Sequence, residues 1–242
     1  IARRFEIERL AGRGGMGAVF RARDVTTGDA VALKLLEGEG ADVERFGREA
    51  AALSELHHPG IVRYVSHGLT TEGRPFLAME WLDGETLGAR ILRAPELDGI
   101  RPRLAYEVGK VLARIHAIDP VATGLAPHLE VLTPEAFVNR MWTQYREMGT
   151  PQPMIDYSAR WLLDHLPEAG EPRLVHNDFR NGNVMVAPDG VKAVLDWEVC
   201  HLGDPMRDLG WICTNSWRFG RRELPVGGFG HYDDLFRGYE EV

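Results

Sequence analysis

The sequence predicts an α+β protein built from two lobes that share a cleft. Residues 1–82 contain short alternating apolar and polar runs separated by Gly-rich turns, which indicates an antiparallel β-rich lobe with one helix. Residues 83–242 contain several amphipathic stretches of helical period, which indicates a mainly helical second lobe. Acidic and amide side chains are concentrated in residues 174–198. Ligands usually bind in the cleft between two such units, so we expect the functional site there.

The composition is that of an ordinary globular protein. The 242 residues are 44% hydrophobic and 26% charged, with a formal net charge of −8. This charge argues against a general attraction to nucleic acid or to an anionic membrane. No apolar run approaches the roughly 20 residues that span a bilayer, and no secretory signal is visible. Cys200 and Cys213 lack metal-binding spacing, which predicts reduced thiols in a cytoplasmic protein.

A glycine-rich turn near the N terminus indicates a phosphate-binding loop. Phe5 and Ile7 alternate with polar residues, which predicts a half-buried strand leading into the turn. The pattern G-x-G-x-x-G-x-V continues as strand rather than helix, which disfavours a dinucleotide fingerprint, and a flexible hairpin is the alternative for the glycines alone. The following VALK strand makes the pair of motifs typical of protein kinases. The nucleotide-contacting residues expected here are Gly12, Gly14, Gly17, Val19, Ala32 and Lys34.

A helix is predicted over residues 42–56, because Val43, Phe46, Ala50 and Leu53 fall on one face. Glu49 lies at the edge of this apolar stripe, where a carboxylate needs a partner. We expect that partner to be Lys34. An ion pair with Glu49 would direct the lysine toward the α- and β-phosphates of a nucleotide. Two strands then follow, near residues 61–67 and 75–81.

Three helices are predicted before the acidic segment. The first spans residues 103–117, with Leu104, Val108, Val111, Leu112 and Ile115 in register. The second begins at Thr133-Pro134, because proline is favoured in the first turn. The third spans about 155–166. The apolar and aromatic residues of the last two helices are expected in the core rather than in a ligand site.

The acidic segment carries the pattern H-x-D-x-x-x-x-N, from His176 to Asn183. Transfer of a phosphoryl group to a hydroxyl requires a carboxylate near that hydroxyl and metal ions on the phosphates. Asp178 is the expected base, and Asn183 offers an oxygen to Mg²⁺. A predicted hairpin returns Asp196 beside Asn183, and Glu198 lies on the same side if the chain is extended. Asp196 is the expected main metal ligand, with Glu198 as a second one.

The first part of the chain resembles the N-terminal lobe of bacterial, eukaryotic-type Ser/Thr protein kinases. The glycine-loop and VALK motifs within residues 5–82 carry this resemblance. It implies that ATP is the nucleotide and that Met79 is the gatekeeper beside adenine. It also implies that the backbone from Glu80 to Leu82 hydrogen-bonds the base.

Residues 91–242 instead resemble the aminoglycoside phosphotransferase-like family of small-molecule kinases, near the kinase-like domains associated with acyl-CoA dehydrogenases. The segments ILRAPEL, LARIHAID, LVHNDFRNGNVMV, LDWE and GDPMRDLGW carry the resemblance. Asp208 lies only 12 positions after Asp196, so no activation loop or APE motif fits between them. The resemblance implies that Asp208 braces the catalytic loop. It also predicts a chain truncated at its C terminus, with two relatives joined near residues 82–92 as in a chimera or recombinant.

Both resemblances imply a protein-kinase-like fold, in which residues 1–82 bind nucleotide and residues 83–242 supply catalysis and acceptor binding. The sequence therefore predicts a Mg·ATP-dependent kinase that phosphorylates a hydroxyl of a small molecule. A protein Ser/Thr kinase is the first alternative, and an ATP-binding pseudokinase or scaffold is the second. No motif selects the acceptor or the oligomeric state.

Overall fold

The N-terminal part of the computed structural model is a five-stranded antiparallel sheet with one helix against it. The structure describes residues 1–14, 17–37, 41–88 and 94–242. The strand order is β1-β2-β3-β5-β4. The strands are β1 (Phe5–Gly14), β2 (Gly17–Asp24), β3 (Ala30–Leu36), β4 (Tyr64–Leu69) and β5 (Pro75–Glu80), and helix α1 is Ala41–Glu55. A turn within residues 25–29, VTTGD, connects β2 to β3.

Two predicted core positions of this part are wrong. Ile7 is 45% exposed, because β1 is an edge strand whose register with β2 shifts between Ile7 and Arg9. A bulge of this kind rotates the following side chains and breaks the simple alternation. Val43 is 43% exposed in the first turn of α1, whereas Phe46, Ala50 and Leu53 are buried as predicted.

The second part is mainly helical and contains two small sheets. Its helices are α2 (Leu104–His116), α3 (Pro134–Glu147), α4 (Pro153–Asp164), α5 (Met206–Ile212) and α6 (Tyr232–Glu240). Strands β6 (Glu85–Thr86), β8 (Val184–Ala187) and β9 (Gly190–Val194) form one sheet, and β7 (Arg173–Val175) pairs with β10 (His201–Gly203). Within the described part of the chain, no helix has both the length and the apolar character needed to cross a membrane.

Helices α2 and α6 pack closely through glycine. All five predicted apolar positions of α2 are buried. A Cβ at Gly109 would collide with the Leu235 carbonyl, and a Cβ at Gly238 would collide with the Tyr106 carbonyl. Each helix therefore presents a glycine to the backbone of the other. This contact fixes α6 against the main core cluster, which also contains Phe179, Trp197 and the hairpin residues beside the cleft.

Helices α3 and α4 do not fill the core as predicted. Thr133 caps α3 by accepting the Ala136 N–H, so the predicted helix start is confirmed. No described residue of α3 is buried, and Ala159 is the single buried residue of α4. The two helices pack mainly on each other, and Trp161 and Leu162 remain 48% and 43% exposed. Apolar periodicity correctly predicted that these segments are helical, but it did not predict that their apolar faces would remain largely exposed.

Candidate active site

A cavity of about 570 Å³ lies between the N-terminal sheet and the β8–β9 hairpin. It is lined on one side by β-strand residues and on the other by the predicted acidic segment. The predicted site residues among its lining are Gly17, Val19, Ala32, Lys34, Glu49, Met79, Glu80, Leu82, Asp178, Asn183, Asp196 and Glu198. The fold therefore brings residues separated by more than 160 positions into one cleft.

Lys34 is the cation at the centre of this cavity. Its Nζ atom lies 2.8 Å from Glu49 Oε2, 2.9 Å from Asp196 Oδ1 and 3.7 Å from Glu198 Oε2. Burial lowers the pKa of the Lys34 ammonium, but Glu49 and Asp196 raise it further, so its pKa lies above the ordinary value. Lys34 therefore stays protonated, and its charge partly neutralises the three carboxylates around it.

Glu49 is the most buried of those carboxylates, with 1% exposure. Burial raises the pKa of its carboxyl even with Lys34 beside it. The predicted Lys34–Glu49 contact is thus present in the structure. Its geometry matches a lysine whose direction is fixed by a buried acid rather than by solvent-exposed pairing.

Asp178 is held by donors on both edges of its carboxylate. Oδ1 accepts the indole N–H of Trp211 at 2.9 Å, and Oδ2 accepts the Asn183 amide N–H at 2.8 Å. Arg180 Nε donates to both oxygens, at 3.2 and 3.0 Å. The Asp178 side chain keeps 25% exposure, so one face of the carboxylate remains accessible to a hydroxyl.

The loop that carries Asp178 is braced from below by Asp208. This carboxylate is fully buried and accepts the backbone N–H groups of His176 and Asn177, at 2.8 and 2.7 Å. Burial raises the pKa of Asp208, but the hydrogen bond from His116 and the neighbouring groups lower it below the ordinary value. Asn177 has a φ of 67°, a left-handed conformation that costs energy unless the surroundings fix it.

His176 has a structural place in the same loop. Its ring is fully buried, and its Nε2 contacts the Leu195 carbonyl at 2.8 Å. Its Nδ1 accepts the Asp178 N–H at 3.2 Å, which requires the Nε2–H tautomer. The ring therefore ties the loop that carries Asp178 to the end of β9.

The hairpin returns Asp196 beside Asn183 as predicted, through the Leu195 N–H bond to the Asn183 carbonyl at 2.8 Å. Asp196 and Glu198 share a side for a different reason from the one predicted. The chain is not extended there, because Asp196 adopts a left-handed φ of 68°. Carboxylate oxygens of Glu49, Asp196 and Glu198 all lie within 4.8 Å of one another.

These oxygen donors fit a hard divalent cation such as Mg²⁺. The Asn183 amide nitrogen faces Asp178, which leaves its oxygen as the atom available to a metal. Asn183 and Asp196 line the same cavity as Lys34.

The expected adenine end of the cavity is sharpened in one respect. Met79 is 8% exposed and lines the cavity at the end of β5. The Glu80 N–H already donates to the Arg63 carbonyl at 2.9 Å, and the Trp81 N–H donates to the Ala30 carbonyl at 3.3 Å. Any bond from this segment to a base would therefore use a backbone carbonyl or the Leu82 N–H.

The glycine turn is described only in part. Gly12 and Gly14 lie at the end of β1, Gly17 begins β2, and residues 15 and 16 of the motif lie outside the described residues. Residues 91–93 of the ILRAPEL motif also lie outside them. A Cβ at Gly17 would collide with the Leu35 carbonyl, so close strand packing already requires this glycine, which has a φ of 150°.

Sequence reasoning missed two contacts of the site. It did not identify Trp211 as a partner of Asp178, and it did not place His116 on Asp208. Trp211 ends the GDPMRDLGW segment and His116 lies in LARIHAID, but neither segment indicates which side chains meet. The two cysteines are free as predicted, and burial raises the pKa of the Cys200 thiol to about 12 and that of Cys213 to about 11.

Comparison with known proteins identifies relatives of two kinds. A family model described as the phosphotransferase enzyme family matches residues 13–242. Acyl-CoA dehydrogenase family member 10 of Mus musculus is 36% identical over 149 residues, covering 58% of this chain and 14% of that protein. The DNA damage-responsive serine/threonine-protein kinase RqkA of Deinococcus radiodurans is 27% identical over 212 residues, covering 86% of this chain and 24% of that protein.

The serine/threonine-protein kinase pkn3 of Myxococcus xanthus is 34% identical over 139 residues, covering 55% of this chain and 25% of that protein. The chain thus spans a quarter or less of the length of these curated relatives. A crystal structure of macrolide 2′-phosphotransferase MphH from Brachybacterium faecium, an apoenzyme, superposes with a TM-score of 0.66 at 23% identity. It covers 96% of this chain and 75% of that one, which confirms the predicted kinase-like fold.

Proposed function

The chain belongs to the phosphotransferase enzyme family, and from this premise we propose that it transfers the γ-phosphate of ATP to a hydroxyl of a small molecule. The single observation that carries the proposal is the common cavity of Lys34, Asp178, Asn183 and Asp196. A phosphate-facing cation, a carboxylate for the hydroxyl and oxygen ligands for a metal are the groups that phosphoryl transfer needs.

In this proposal residues 1–82 hold the nucleotide and residues 83–242 provide the reaction groups. Adenine binds near Met79, under the hinge formed by Glu80 to Leu82. The glycine turn covers the phosphates, and Lys34, directed by Glu49, contacts the α- and β-phosphates. Binding of Mg·ATP would replace the contact between Lys34 and Asp196, which lie 2.9 Å apart.

Asp178 orients the attacking hydroxyl and accepts its proton. Its carboxylate is fixed by Asn183, Arg180 and Trp211, so the orientation is set before the acceptor arrives. Asn183 and Asp196, with Glu198 close behind, would hold Mg²⁺. When bound, this ion would neutralise the charge on the phosphate oxygens that Lys34 alone leaves unbalanced.

A small acceptor is favoured by the short segment after Asp196. The residues that follow form a turn and β10 and then enter α5, where Asp208 is already bonded to the catalytic loop. There is no long segment here that would seat a peptide or switch the site off. We therefore infer that the centre is assembled without prior phosphorylation.

A protein Ser/Thr kinase is the second candidate, because kinases of that class are among the relatives. An ATP-binding protein without turnover is the third. The absence of room for an activation segment argues against the second, and the complete set of lysine, acid and amide groups argues against the third.

One labelling experiment distinguishes the three. The chain is incubated with Mg²⁺ and γ-labelled ATP, and the label is followed into aminoglycosides, macrolides, sugars and amino alcohols and, separately, into casein and the chain itself. Label in a small molecule is expected, and label only in protein would favour the second candidate. Stabilisation by Mg·ATP in a thermal-shift assay without any turnover would favour the third.

Asp178→Ala is the informative variant. We expect it to lower kcat by about 10²–10⁴-fold, the usual contribution of a general base, while Mg·ATP still stabilises the fold. Asp189→Ala is the matched control, because Asp189 lies in the β8–β9 turn with 71% exposure and pairs only with Lys192 among the described ion pairs. Equal turnover in Asp178→Ala and the control would exclude Asp178 as the base.

A further inference from the structure

Helix α5 contacts the catalytic loop at two points. Asp208 accepts the N–H groups of His176 and Asn177, and Trp211, three residues later on the helix, donates its indole N–H to Asp178 Oδ1 at 2.9 Å. Asp208 is fully buried, but Trp211 is 39% exposed. The Asp208 contact is explained by bracing of the loop. The Trp211 contact places a partly exposed aromatic ring beside the proposed base.

We propose that Trp211 positions Asp178 and that its ring, with that of Trp217, forms the wall against which the hydroxyl acceptor binds. The inference rests on the proposed phosphotransfer function for its catalytic consequence. Its structural content, a charged hydrogen bond and an accessible aromatic surface, is independent of turnover.

The positioning part follows from the distribution of donors around Asp178. Oδ2 has Asn183 at 2.8 Å and Arg180 at 3.0 Å, whereas Oδ1 has Trp211 at 2.9 Å and only a longer contact of 3.2 Å to Arg180. Trp211 is therefore the main donor to one edge of the carboxylate. Without it the carboxylate can rotate about its terminal bond, because this torsion has only a broad preference.

Arg180 is itself held by one ring of the aromatic pair, that of Trp217. Its guanidinium carbon lies 5.2 Å from the centroid of the Trp217 ring, a cation–π distance. A Cβ at Gly182 would collide with this guanidinium, so the glycine leaves the space that it occupies. Trp211 and Trp217 thus support the two sides of the Arg180–Asp178 pair, directly at Asp178 and through the ring face at Arg180.

The acceptor part follows from where the two indoles lie. Asp178 and Arg180 line the nucleotide cavity, but neither Trp211 nor Trp217 is among its described lining residues. Asp178 therefore lies between the nucleotide cavity and the indoles. A hydroxyl has to reach Asp178 from the side that the nucleotide does not occupy, and on that side it meets the exposed ring of Trp211.

The shape of this wall indicates a class of acceptor. The Trp211 and Trp217 rings lie 5.6 Å apart at 66°, an edge-to-face arrangement that forms a corner. A corner of two aromatic rings buries apolar surface best when the ligand itself has a flat apolar face. We therefore expect an alcohol whose hydroxyl is attached to or beside a ring, rather than a short open-chain alcohol.

The hydrogen bond is tested without any reaction. In the full chain labelled with ¹⁵N-tryptophan, the Nε1–H signal of Trp211 is expected to move strongly in Asp178→Ala, because a charged acceptor is removed. Trp161, which is in α4 and stacks on His165, is the internal reference whose signal stays in place. An unmoved Trp211 signal would overturn the positioning role, whatever the enzyme does.

The aromatic wall is tested with two probes on the same labelled protein. Titration with p-nitrophenyl β-D-glucoside, a ring-bearing alcohol, is expected to shift the Trp211 and Trp217 signals in a saturable way, and glycerol is expected to shift them far less. Shifts of equal size with both probes, or no shift with the glucoside, would overturn the acceptor surface.

The catalytic consequence is tested with water as acceptor. Trp211→Phe keeps an aromatic ring and loses the N–H, and Trp161→Phe is the matched control. We expect Trp211→Phe to lower the kcat of ATP hydrolysis about 10-fold at unchanged KM for ATP, since a hydrogen bond to a charged group is lost. Equal kcat in both variants would overturn the positioning role, whereas absence of ATP turnover by the unmodified chain, with water and with every acceptor of the panel, would instead refute the proposed function.

Discussion

Replacing Lys34 with methionine separates the role of this residue in stability from its role in nucleotide binding. The variant leaves Glu49, which is 1% exposed, without the ammonium that lies 2.8 Å away. Removing one partner of a buried pair typically costs about 3–5 kcal/mol, because the other charge stays desolvated. Domains of this size are stable by about 5–15 kcal/mol, so we expect a folded but strongly destabilised protein.

Glu49→Gln and the double variant show how much of the destabilisation comes from the unpaired charge of Glu49. Glu49→Gln is expected to cost less, about 1–2 kcal/mol, because Lys34 keeps Asp196 at 2.9 Å as a partner. Lys34→Met combined with Glu49→Gln removes both buried charges, and we expect it to recover most of the loss, giving a coupling energy of about 3 kcal/mol. The double variant should nevertheless turn over no ATP, because methionine offers no cation to the phosphates.

The pH dependence of Lys34→Met follows from Glu49. Burial already raises the pKa of this carboxyl in the folded protein, and loss of Lys34 raises it further. The folded state then binds a proton more tightly than the unfolded state. The contribution of Glu49 to stability is therefore greatest at low pH and is lost as the pH rises from about 4.3 through the folded pKa. The penalty of Lys34→Met should be smaller at pH 5.5 than at pH 7.5.

The assay is urea unfolding followed by the fluorescence of the six tryptophans, with EDTA and without nucleotide, at both pH values. Turnover of Mg·ATP is measured in parallel. Additive costs for Lys34→Met and Glu49→Gln would refute a buried, coupled pair. A cost below about 1 kcal/mol for Lys34→Met would show that Glu49 is hydrated rather than buried.

Three further outcomes are expected. Asp208→Asn should lower the free energy of unfolding by roughly 3 kcal/mol in urea titrations, because the amide N–H₂ of asparagine would face a backbone N–H of the loop that carries Asp178. An unchanged unfolding midpoint would contradict the bracing role. Gly109→Ala should lower the free energy of unfolding by about 1–3 kcal/mol, because the added Cβ displaces α6 at the Leu235 carbonyl. Gly47→Ala, in open space on α1, should be neutral or stabilising. The reverse order would contradict the described helix packing. EDTA should abolish ATP turnover, and turnover at an unchanged rate would contradict a metal-dependent mechanism.

The sequence predicted which of the proposed site residues lie together where their geometry depends on short spacing along the chain. The hairpin between Asn183 and Asp196 is specified by a turn at Pro188-Asp189-Gly190 and by two short apolar runs, so local rules were enough to place both residues. The contact of Lys34 with Glu49 was also predictable, because a carboxylate beside the buried stripe of α1 has few compensating partners. Their roles in catalysis stay predictions.

Predictions failed where the outcome depends on what another element covers. Ile7 follows the strand pattern, but the register shift at the edge of the sheet leaves it exposed. Trp161 and Leu162 follow the helix pattern, but α4 packs mainly on α3. Periodicity describes which side chains share a face, and it contains no information about whether that face meets a partner.

The sequence alone therefore determined which groups we propose for phosphoryl transfer, because each motif that contains these glycines, lysine, acids and amide is a local pattern of the chain. The tertiary structure decided how the proposed base is held. Asp178 accepts a hydrogen bond from Trp211, 33 residues away in the sequence. The Asp178 loop donates to Asp208, which also contacts His116, 92 residues away. Such contacts arise only when α2 and α5 pack around the loop, since the energy that selects them comes from burial shared among distant segments.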